Sequence, residues 1–315
     1  MNPRPIIELV VNGGKVCLGE RTLIMGVLNV TPDSFCDGGH YHEPARAIAH
    51  GIELTRQGAD WIDVGGESTR PGSLGVSVEE ELRRVLPVIR GLRRKLRSIP
   101  ISIDTTKATV AEQALRAGAS IINDVSGLRF DPRLADVARR HGCPLILMHL
   151  RGRPETMQQK PFVRSIWRSL GNGLACSIRR ALAAGIPRSQ LIIDPGLGFG
   201  KTRRQNYEIL AHLERLRGFG LPLLVGSSRK SFVQAVAAGE GLDSLRRRTR
   251  RAGFWPLIQS VGAQPAAPLQ IADAAAVVAA ILGGAHFVRV HDVAAMLAAV
   301  RIADAVRVAH TGRML

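Results

Sequence analysis

The 315-residue sequence has few cysteines, few aromatic residues and no long hydrophobic run. Its four cysteines lie far apart and form no C-x-x-C pair, which argues against a zinc site or a disulfide framework and favours reduced thiols. Aromatic residues make up 4% of the chain, too few for a module that stacks nucleic-acid bases. The longest apolar candidate, residues 272–282, contains Asp273 and ends at two glycines, so no transmembrane segment is expected. Residues 1–11 lack a cleavage-like site, and we predict a cytoplasmic protein without a nucleic-acid or membrane partner.

The chain is strongly basic, with 43 Lys and Arg against 26 Asp and Glu, which gives a formal net charge of +17. Such a balance fits either an anionic ligand or arginines spread over solvated helix faces. Runs such as residues 90–97 have the spacing of a solvated helix face, and we favour that explanation for most of the charge.

A short apolar run, a polar residue, a loop and a helical stretch follow one another eight times along the chain. Alternating strands and helices predict parallel strands with right-handed crossovers. Eight such units favour an α/β fold of the (β/α)8 TIM-barrel type, as a single domain over residues 1–315. An open doubly wound sheet is the alternative, but residues 29–33 are not the glycine-rich phosphate loop that it requires. Residues 6–11 and 15–18 flank a glycine turn and predict an N-terminal β-hairpin that plugs one end of the barrel.

All strands of such a barrel end at the same mouth, so the polar residues near their ends are expected to converge. A single strand-end carboxylate is more often a helix cap, but polar residues at nearly every strand end are harder to explain in that way. The converging residues are Asn29, Asp63, Asp104, Asn123, Asp194, Lys230, Arg289 and His291.

Three of these residues suit an anion. Arg289 and His291 lie two apart on a strand and therefore share one face. Lys230 follows another strand at the start of a helix, where backbone N–H groups also attract anions. The cations fit a phosphate or pyrophosphate, or else an ion pair with a strand-end aspartate, and the sequence does not separate these possibilities.

Asp104, Asp194 and Asn123 suit a ligand with adjacent N–H donors, because a carboxylate pairs bidentately with a planar amidine-like edge. Pterins and guanines carry such an edge; acid–base catalysis or helix capping are the alternatives. Glycine-rich segments at residues 31–39 and 65–72 contain few apolar residues, and we expect them to be mobile loops that order around a ligand.

Eight stretches, in order and over nearly the whole chain, resemble the dihydropteroate synthase family of folate-pathway enzymes. They include IMGVLNVTPDSFCDGG (24–39), GADWIDVGGESTRPG (58–72), ISIDTTK (101–107), IINDVSG (121–127), residues 148–158, DPGLGFGK (194–201), GSSRKSF (226–232) and GAHFVRVHDV (284–293). The resemblance implies that 6-hydroxymethyl-7,8-dihydropterin diphosphate and p-aminobenzoate are condensed to 7,8-dihydropteroate and pyrophosphate.

The resemblance also implies residue roles. The residues that match pterin-binding positions are Asp104, Asn123, Met148, Asp194 and Lys230. Those that match pyrophosphate-binding positions are Asn29, Arg70, Arg289 and His291. The match to the p-aminobenzoate rim consists of Phe35, Thr69, Pro71, Phe199 and Ser228. Asn29 matches the Mg²⁺ ligand, and the implied catalytic residues are Asp104, Lys230, Arg289 and His291.

The resemblance breaks at about residues 239–271, where the family has a short linker and a Gly-Ser-Leu-Ala helix start. This chain instead has an arginine-rich insertion, and its helix is expected to resume near Ala272. The family forms dimers through helices close to this region, so the insertion affects whether this chain can form a homodimer in the same way. A non-catalytic paralogue or a pterin-dependent methyltransferase-like barrel are the alternative functions.

Overall fold

The computed structural model describes residues 4–11, 13–31, 43–237 and 267–310, which form an N-terminal hairpin and a barrel of eight parallel strands. The hairpin strands are β1 (Ile7–Val11) and β2 (Gly14–Leu18). The barrel strands are β3 (Leu23–Asn29), β4 (Trp61–Gly65), β5 (Ile101–Asp104), β6 (Ile121–Asp124), β7 (Leu145–Met148), β8 (Leu191–Asp194), β9 (Leu224–Val225) and β10 (Phe287–Val290). Their order is β8-β7-β6-β5-β4-β3-β10-β9, and a single bridge between Ile193 and Leu223 joins the two ends. The predicted (β/α)8 barrel and its hairpin are confirmed.

Helices follow the strands on the outside of the barrel. They are α1 (Glu43–Arg56), α2 (Val78–Lys95), α3 (Ala108–Ala117), α4 (Leu134–His141), α5 (Ile166–Ala183), α6 (Arg203–Ala211), α7 (Ser231–Ala237), α8 (Ala267–Leu282) and α9 (Val293–His310). Outward strand residues such as Ile62, Ile103 and Leu147 are fully buried against these helices. This outer layer is the main hydrophobic core, and it fixes the strands from behind.

The hairpin closes the amino end of the barrel. Leu9, Val11 and Leu18 pack on an apolar layer inside the barrel that includes Trp61 and Phe287, whose ring centroids are 4.4 Å apart. Because strand side chains alternate between faces, the inward residues nearer the carboxyl ends form the next layers, and these are polar. The plug therefore leaves the carboxyl-end mouth for a ligand.

Two helix boundaries have clear local causes or differ from expectation. Helix α6 begins at Arg203, after a capping box between Thr202 and Gln205. It ends at Ala211 because His212 leaves helical backbone angles, and a 3₁₀ segment, Leu213–Phe219, follows. The helix expected near Ala272 already begins at Ala267, five residues earlier, within the predicted insertion. Its residues 239–266 lie outside the described part of the chain.

Candidate active site

Four strand-end residues lie in one row across the mouth of the barrel. Asn29 of β3 pairs in register with Gly65 of β4, Gly65 with Asp104 of β5, and Asp104 with Asn123 of β6. A Cβ at Gly65 would lie 3.5 Å from the Asp104 Cβ and 3.7 Å from the Asn29 Oδ1. The missing side chain at Gly65 thus keeps the space between Asn29 and Asp104 open.

An ion-pair network lies beneath this row. The Arg289 guanidinium donates from Nε to Asp63 Oδ2 at 2.7 Å and from Nη2 to Asp104 Oδ2 at 2.8 Å. Asn123 Nδ2 donates to the same Asp63 oxygen at 3.0 Å. Of the two explanations for Arg289, the structure therefore contains the ion pair. Asp63 belongs to the predicted converging residues, but no role in the site was predicted for it.

Burial and neighbouring charges shift the ionisation of these groups. Burial raises the pKa of Asp104, and the Asp63 carboxylate raises it further, while Arg289 opposes both effects. Burial alone would lower the pKa of Arg289, but the two carboxylates outweigh it and the guanidinium stays charged. Burial, with help from Arg289, lowers the pKa of Lys230 to about 8. Both Asp104 and Lys230 are therefore close to changing protonation state near neutral pH.

The G-x-G-x-G segment after β8 wraps around the other half of the site. Asp194 Oδ1 accepts the Gly196 N–H at 2.7 Å, and burial raises the pKa of this carboxyl to about 6. Gly196 has a φ of +63°, and a Cβ there would lie 3.0 Å from the Met148 Cγ. Lys230 Nζ lies 4.0 Å from the Phe199 ring centroid, a cation–π distance. The segment thus brings Asp194, Met148, Phe199 and Lys230 together.

Lys201 holds this segment in place and was missed as a functional residue. Its side chain is 2% exposed, and Nζ donates to the carbonyls of His149, Gly196 and Phe199 at 3.0, 2.7 and 3.0 Å. All three N–H donors of the ammonium therefore bind backbone carbonyls of this segment and of His149. In the sequence it is only the last letter of DPGLGFGK, which gives no sign of burial.

A cavity of about 1000 Å³ opens at the mouth above these groups. The predicted residues that line it are Asn29, Thr69, Arg70, Pro71, Asp104, Phe199, Ser228, Lys230, Arg289 and His291. Asn123, Met148 and Asp194 do not line it and are 3%, 4% and 5% exposed. Asn123 pairs in register with the lining residue Asp104, and Met148 packs with the lining residue Phe199 and pairs with Asp194. Phe35 lies outside the described residues. All other predicted site residues thus line one cavity or lie next to residues that line it.

The loop between β4 and α2 is more constrained than the mobile loop we expected. Gly72 N–H donates to the Pro154 carbonyl at 3.0 Å, and the Ser73 hydroxyl donates to the Ser68 carbonyl at 2.6 Å. Glu67 forms a salt bridge with Lys107, whose Nζ also lies 2.5 Å from Glu81 Oε2. These contacts hold the loop at the rim. Most of the other glycine-rich segment lies outside the described residues.

The donor set at the mouth is compatible with Mg²⁺ only if the substrate supplies most of the ligands. No group of three His, Cys, Asp or Glu side chains suited to a metal occurs within residues 4–11, 13–31, 43–237 and 267–310. Asn29 offers one amide oxygen in the cavity, close to Asp104. Because Mg²⁺ prefers oxygen ligands and keeps several waters, an amide oxygen with phosphate oxygens fits this ion.

Comparison with known proteins agrees with this geometry. A family model described as pterin binding enzyme matches residues 25–291, so the barrel is that of a pterin-binding enzyme. The chain is 44% identical over 287 residues to the dihydropteroate synthase of Synechocystis sp., covering 91% of each chain. It is 40% identical over 282 residues to that of Escherichia coli K12, covering 90% of each. The chain belongs to the dihydropteroate synthase family.

Solved structures of the family share the fold. The Xanthomonas albilineans dihydropteroate synthase with 4-aminobenzoic acid has a TM-score of 0.81 at 38% identity, covering 96% of this chain and 99% of that one. The same enzyme in complex with 7,8-dihydropteroate has a TM-score of 0.78 at 37% identity, covering 95% and 98%. Within the described residues, none of the helices is both long and apolar enough to cross a bilayer.

Proposed function

We propose that the dihydropteroate synthase reaction takes place in the cavity at the carboxyl-end mouth of this barrel. The reaction condenses 6-hydroxymethyl-7,8-dihydropterin diphosphate with p-aminobenzoate and gives 7,8-dihydropteroate and pyrophosphate. One observation carries the proposal: in a chain of this family, buried carboxylates and cations converge around a cavity of about 1000 Å³.

The floor of the cavity is the proposed pterin subsite. Asp194 and Asn123 supply a carboxylate and an amide for the N–H donors and acceptors of the ring edge. Met148 packs with Phe199 in a small apolar cluster that provides a surface for the flat ring. Lys230 and Asp104 complete the subsite from the other side.

The cations at the mouth are the proposed pyrophosphate subsite. Arg70, Arg289 and His291 line the same cavity, with Lys230 beneath them. Arg289 is held by Asp63 through Nε and by Asp104 through Nη2, so a diphosphate competes with Asp104 for one edge of the guanidinium. Asp63 keeps the other edge in place, and Asp104 is released toward the pterin.

The proposed chemistry is displacement at the pterin methylene. The C–O bond to the diphosphate breaks, and pyrophosphate leaves with the electron pair, stabilised by the cations. The methylene carbon becomes electron-poor, and the Asp104 carboxylate stabilises the positive charge. The uncharged amine of p-aminobenzoate then forms the C–N bond and loses one proton to solvent.

Magnesium is the proposed metal, with Asn29 as its protein ligand. When bound, Mg²⁺ supplies Lewis-acid stabilisation of the leaving pyrophosphate. Asn29 orients an amide oxygen next to the open space at Gly65.

The proposed p-aminobenzoate rim consists of Phe35, Thr69, Pro71, Phe199 and Ser228.

We further propose a homodimer and a cytoplasmic location. Helices α8 and α9 expose Ile271, Ile302 and Val306, which are 70%, 65% and 46% accessible, and an apolar surface of this kind favours a second copy. The cysteines that the structure describes, Cys17, Cys143 and Cys176, are all unpaired, as is typical of a reducing compartment.

The test is product formation by the purified protein. We expect dihydropteroate and pyrophosphate to form only when both substrates and Mg²⁺ are present, and sulfonamides to compete with p-aminobenzoate. A folded protein that binds the pterin but forms no product at high enzyme concentration would instead be the non-catalytic paralogue.

Two variants separate the proposed subsites. Arg289→Ala should weaken pyrophosphate binding while pterin binding is nearly retained, and Asp194→Ala should do the opposite. A lost charged hydrogen bond costs about 1.5–3 kcal/mol, a change of roughly tenfold to a hundredfold in affinity. Equal losses of both ligands in both variants would contradict the division into subsites.

A further inference from the structure

The Ser228 hydroxyl lies between two side chains that the reaction scheme above does not connect. Ser228 Oγ is 3.2 Å from Asp273 Oδ2 on α8, and it is 3.3 Å from His291 Nδ1 and 3.4 Å from the His291 backbone N. Ser228 and Asp273 are 4% and 5% exposed, so water does not replace these contacts easily. Asp273 also accepts the Arg229 N–H at 3.1 Å.

The hydrogen-bonding capacity of a hydroxyl fixes the direction of each contact. A serine hydroxyl has one donor and two acceptor lone pairs, whereas an ionised carboxylate only accepts. The single Ser228 proton therefore goes to Asp273. The two lone pairs accept from His291, one from its backbone N–H and the other from Nδ1, which must then carry a proton.

We propose that Asp273 is a positioning residue that, through the Ser228 hydroxyl, holds His291 in the Nδ1–H tautomer. In the neutral ring the other nitrogen, Nε2, then offers a lone pair, which repels an anion. His291 meets a pyrophosphate through Nε2–H only after the ring has taken up a proton. Anion binding at this site is thus coupled to protonation, and anion release to loss of that proton. The coupling rests on the proposed function, which places pyrophosphate beside His291.

The charged groups around His291 support a neutral ring in the free protein. Burial lowers the pKa of His291 to about 3, assisted by Arg289, Arg229, Lys230 and Arg70. The acidic groups near His291 are Asp273, which is linked to the ring through Ser228, and Asp292, which is the next residue in the chain. A bound pyrophosphate places negative charge among the same cations and reverses their effect on the ring.

The arrangement also has a consequence for p-aminobenzoate. With its proton committed to Asp273, the Ser228 hydroxyl has no donor left for the carboxylate of this substrate. Ser228 then acts at the rim through its position beside His291 rather than through its hydroxyl proton.

The tautomer of His291 is measurable by ¹⁵N NMR of the imidazole nitrogens in histidine-labelled protein, with His291→Gln assigning the signal. We expect the Nδ1–H form in the wild type and in Asp273→Asn, whose amide oxygen still accepts the Ser228 proton. In Asp273→Ala the Ser228 proton is free to turn to Nδ1, and we expect the Nε2–H form. Ser228→Ala removes the same link from the other side and should also give Nε2–H. An Nε2–H form in the wild type, or an Nδ1–H form that persists in both alanine variants, would overturn the proposal.

Calorimetric titration with pyrophosphate in two buffers of different ionisation enthalpy tests the coupling itself. The wild type and Asp273→Asn should take up about one proton more per site than Asp273→Ala, because the ligand's own protons cancel in the comparison. Equal proton uptake in all three proteins would overturn the coupling. Absence of pyrophosphate binding by the wild type would instead overturn the proposed function of the subsite, while the tautomer result still decides the role of Asp273.

Discussion

Asp63 links two other strands in the polar layer of the barrel. Its side chain is fully buried, and one oxygen accepts from both Arg289 Nε and Asn123 Nδ2. The other oxygen, Oδ1, has no hydrogen-bond partner among the described residues. A buried carboxylate is costly unless it is paired, and Arg289 supplies that pairing. Asp63 thereby orients one group from each proposed subsite.

Asp63→Asn should lower kcat/KM for the pterin diphosphate by about ten- to a hundredfold, because Arg289 and Asn123 lose their shared charged acceptor. The KM for p-aminobenzoate should change little. Steady-state kinetics with each substrate varied in turn measures both effects. Ser102→Ala is the matched control, since Ser102 pairs with Asp63 in register, is equally buried and has a hydroxyl without a hydrogen-bond partner in the described part of the chain. Turnover of Asp63→Asn within twofold of wild type would contradict this role.

The Asp194 carboxyl makes stability depend on pH in the direction opposite to that of a salt-bridged carboxylate. Its pKa is raised by burial from 3.8 to about 6. Between about pH 4 and 6 the unfolded chain loses this proton while the folded protein keeps it, so stability falls as pH rises. At 1.36 kcal/mol per pH unit, the wild type should lose up to about 3 kcal/mol relative to Asp194→Asn across this range.

Thermal unfolding of the wild type and of Asp194→Asn from pH 4 to pH 7 measures this difference. Asp131→Asn is the control, because a hydrogen bond from Arg133 holds the pKa of Asp131 below its ordinary value, so that its contribution to stability is nearly constant above about pH 4 and is lost only below it. Stability from Asp131 is lost as pH falls, whereas stability from Asp194 is lost as pH rises. A parallel response of the two variants would refute the assignment for Asp194.

At the level of elements, the β4–α2 loop is attached to the barrel through Glu67. Its salt bridge to Lys107, just before α3, is completed by Glu81 from α2. Thr69, Arg70 and Pro71 follow Glu67 along the loop and line the cavity. Glu67 therefore sets where the rim of the proposed p-aminobenzoate subsite lies.

Glu67→Gln should raise the KM for p-aminobenzoate by about tenfold, because the loop loses its charged attachment. Pterin binding on the cavity floor should be retained, and Glu81 still pairs with Lys107. The measurements are the KM for p-aminobenzoate and the affinity for the pterin. Glu53→Gln is the control, since Glu53 lies on the surface, where it forms a salt bridge with Arg56 at 3.8 Å and accepts a hydrogen bond from Gln57 at 3.2 Å. An unchanged KM in Glu67→Gln would show that the loop is positioned in another way.

Elements whose signals are local were predictable from the sequence. Each barrel strand is an apolar run with a polar residue at or near its carboxyl end, and the rule that such ends share one mouth places Asn29, Asp104 and Asn123 together. Long-range contacts were not predictable. Lys201 is 52 residues from the His149 carbonyl that it binds, and Asp273 is 45 residues from Ser228. No local pattern in the sequence indicates that either side chain is buried beside the site.

At the scale of the whole molecule, the proposed dimer rests on the exposed apolar side chains of α8 and α9, Ile271, Ile302 and Val306. Light scattering should give twice the chain mass of 34.0 kDa for the wild type. Ile302→Glu should give the monomer, because a charge at an apolar interface loses its hydration. Phe162→Glu is the control, since Phe162 is also exposed, at 71%, but lies before α5 and belongs to neither helix of the proposed interface. A wild type that is monomeric at micromolar concentration would contradict the dimer.

The pairing of β8 with β9 is the weakest in the barrel, because a single bridge, between Ile193 and Leu223, joins the two strands. Asp194 is the last residue of β8, and Lys230 follows β9 along the chain. A local opening would separate these two residues while the row from Asn29 to Asn123 stayed intact. A pterin bound to both residues would therefore connect β8 to the segment after β9 and oppose this opening. The Ile193 amide, which bonds to the Pro222 carbonyl at 3.0 Å, would then exchange its hydrogen more slowly without touching the ligand.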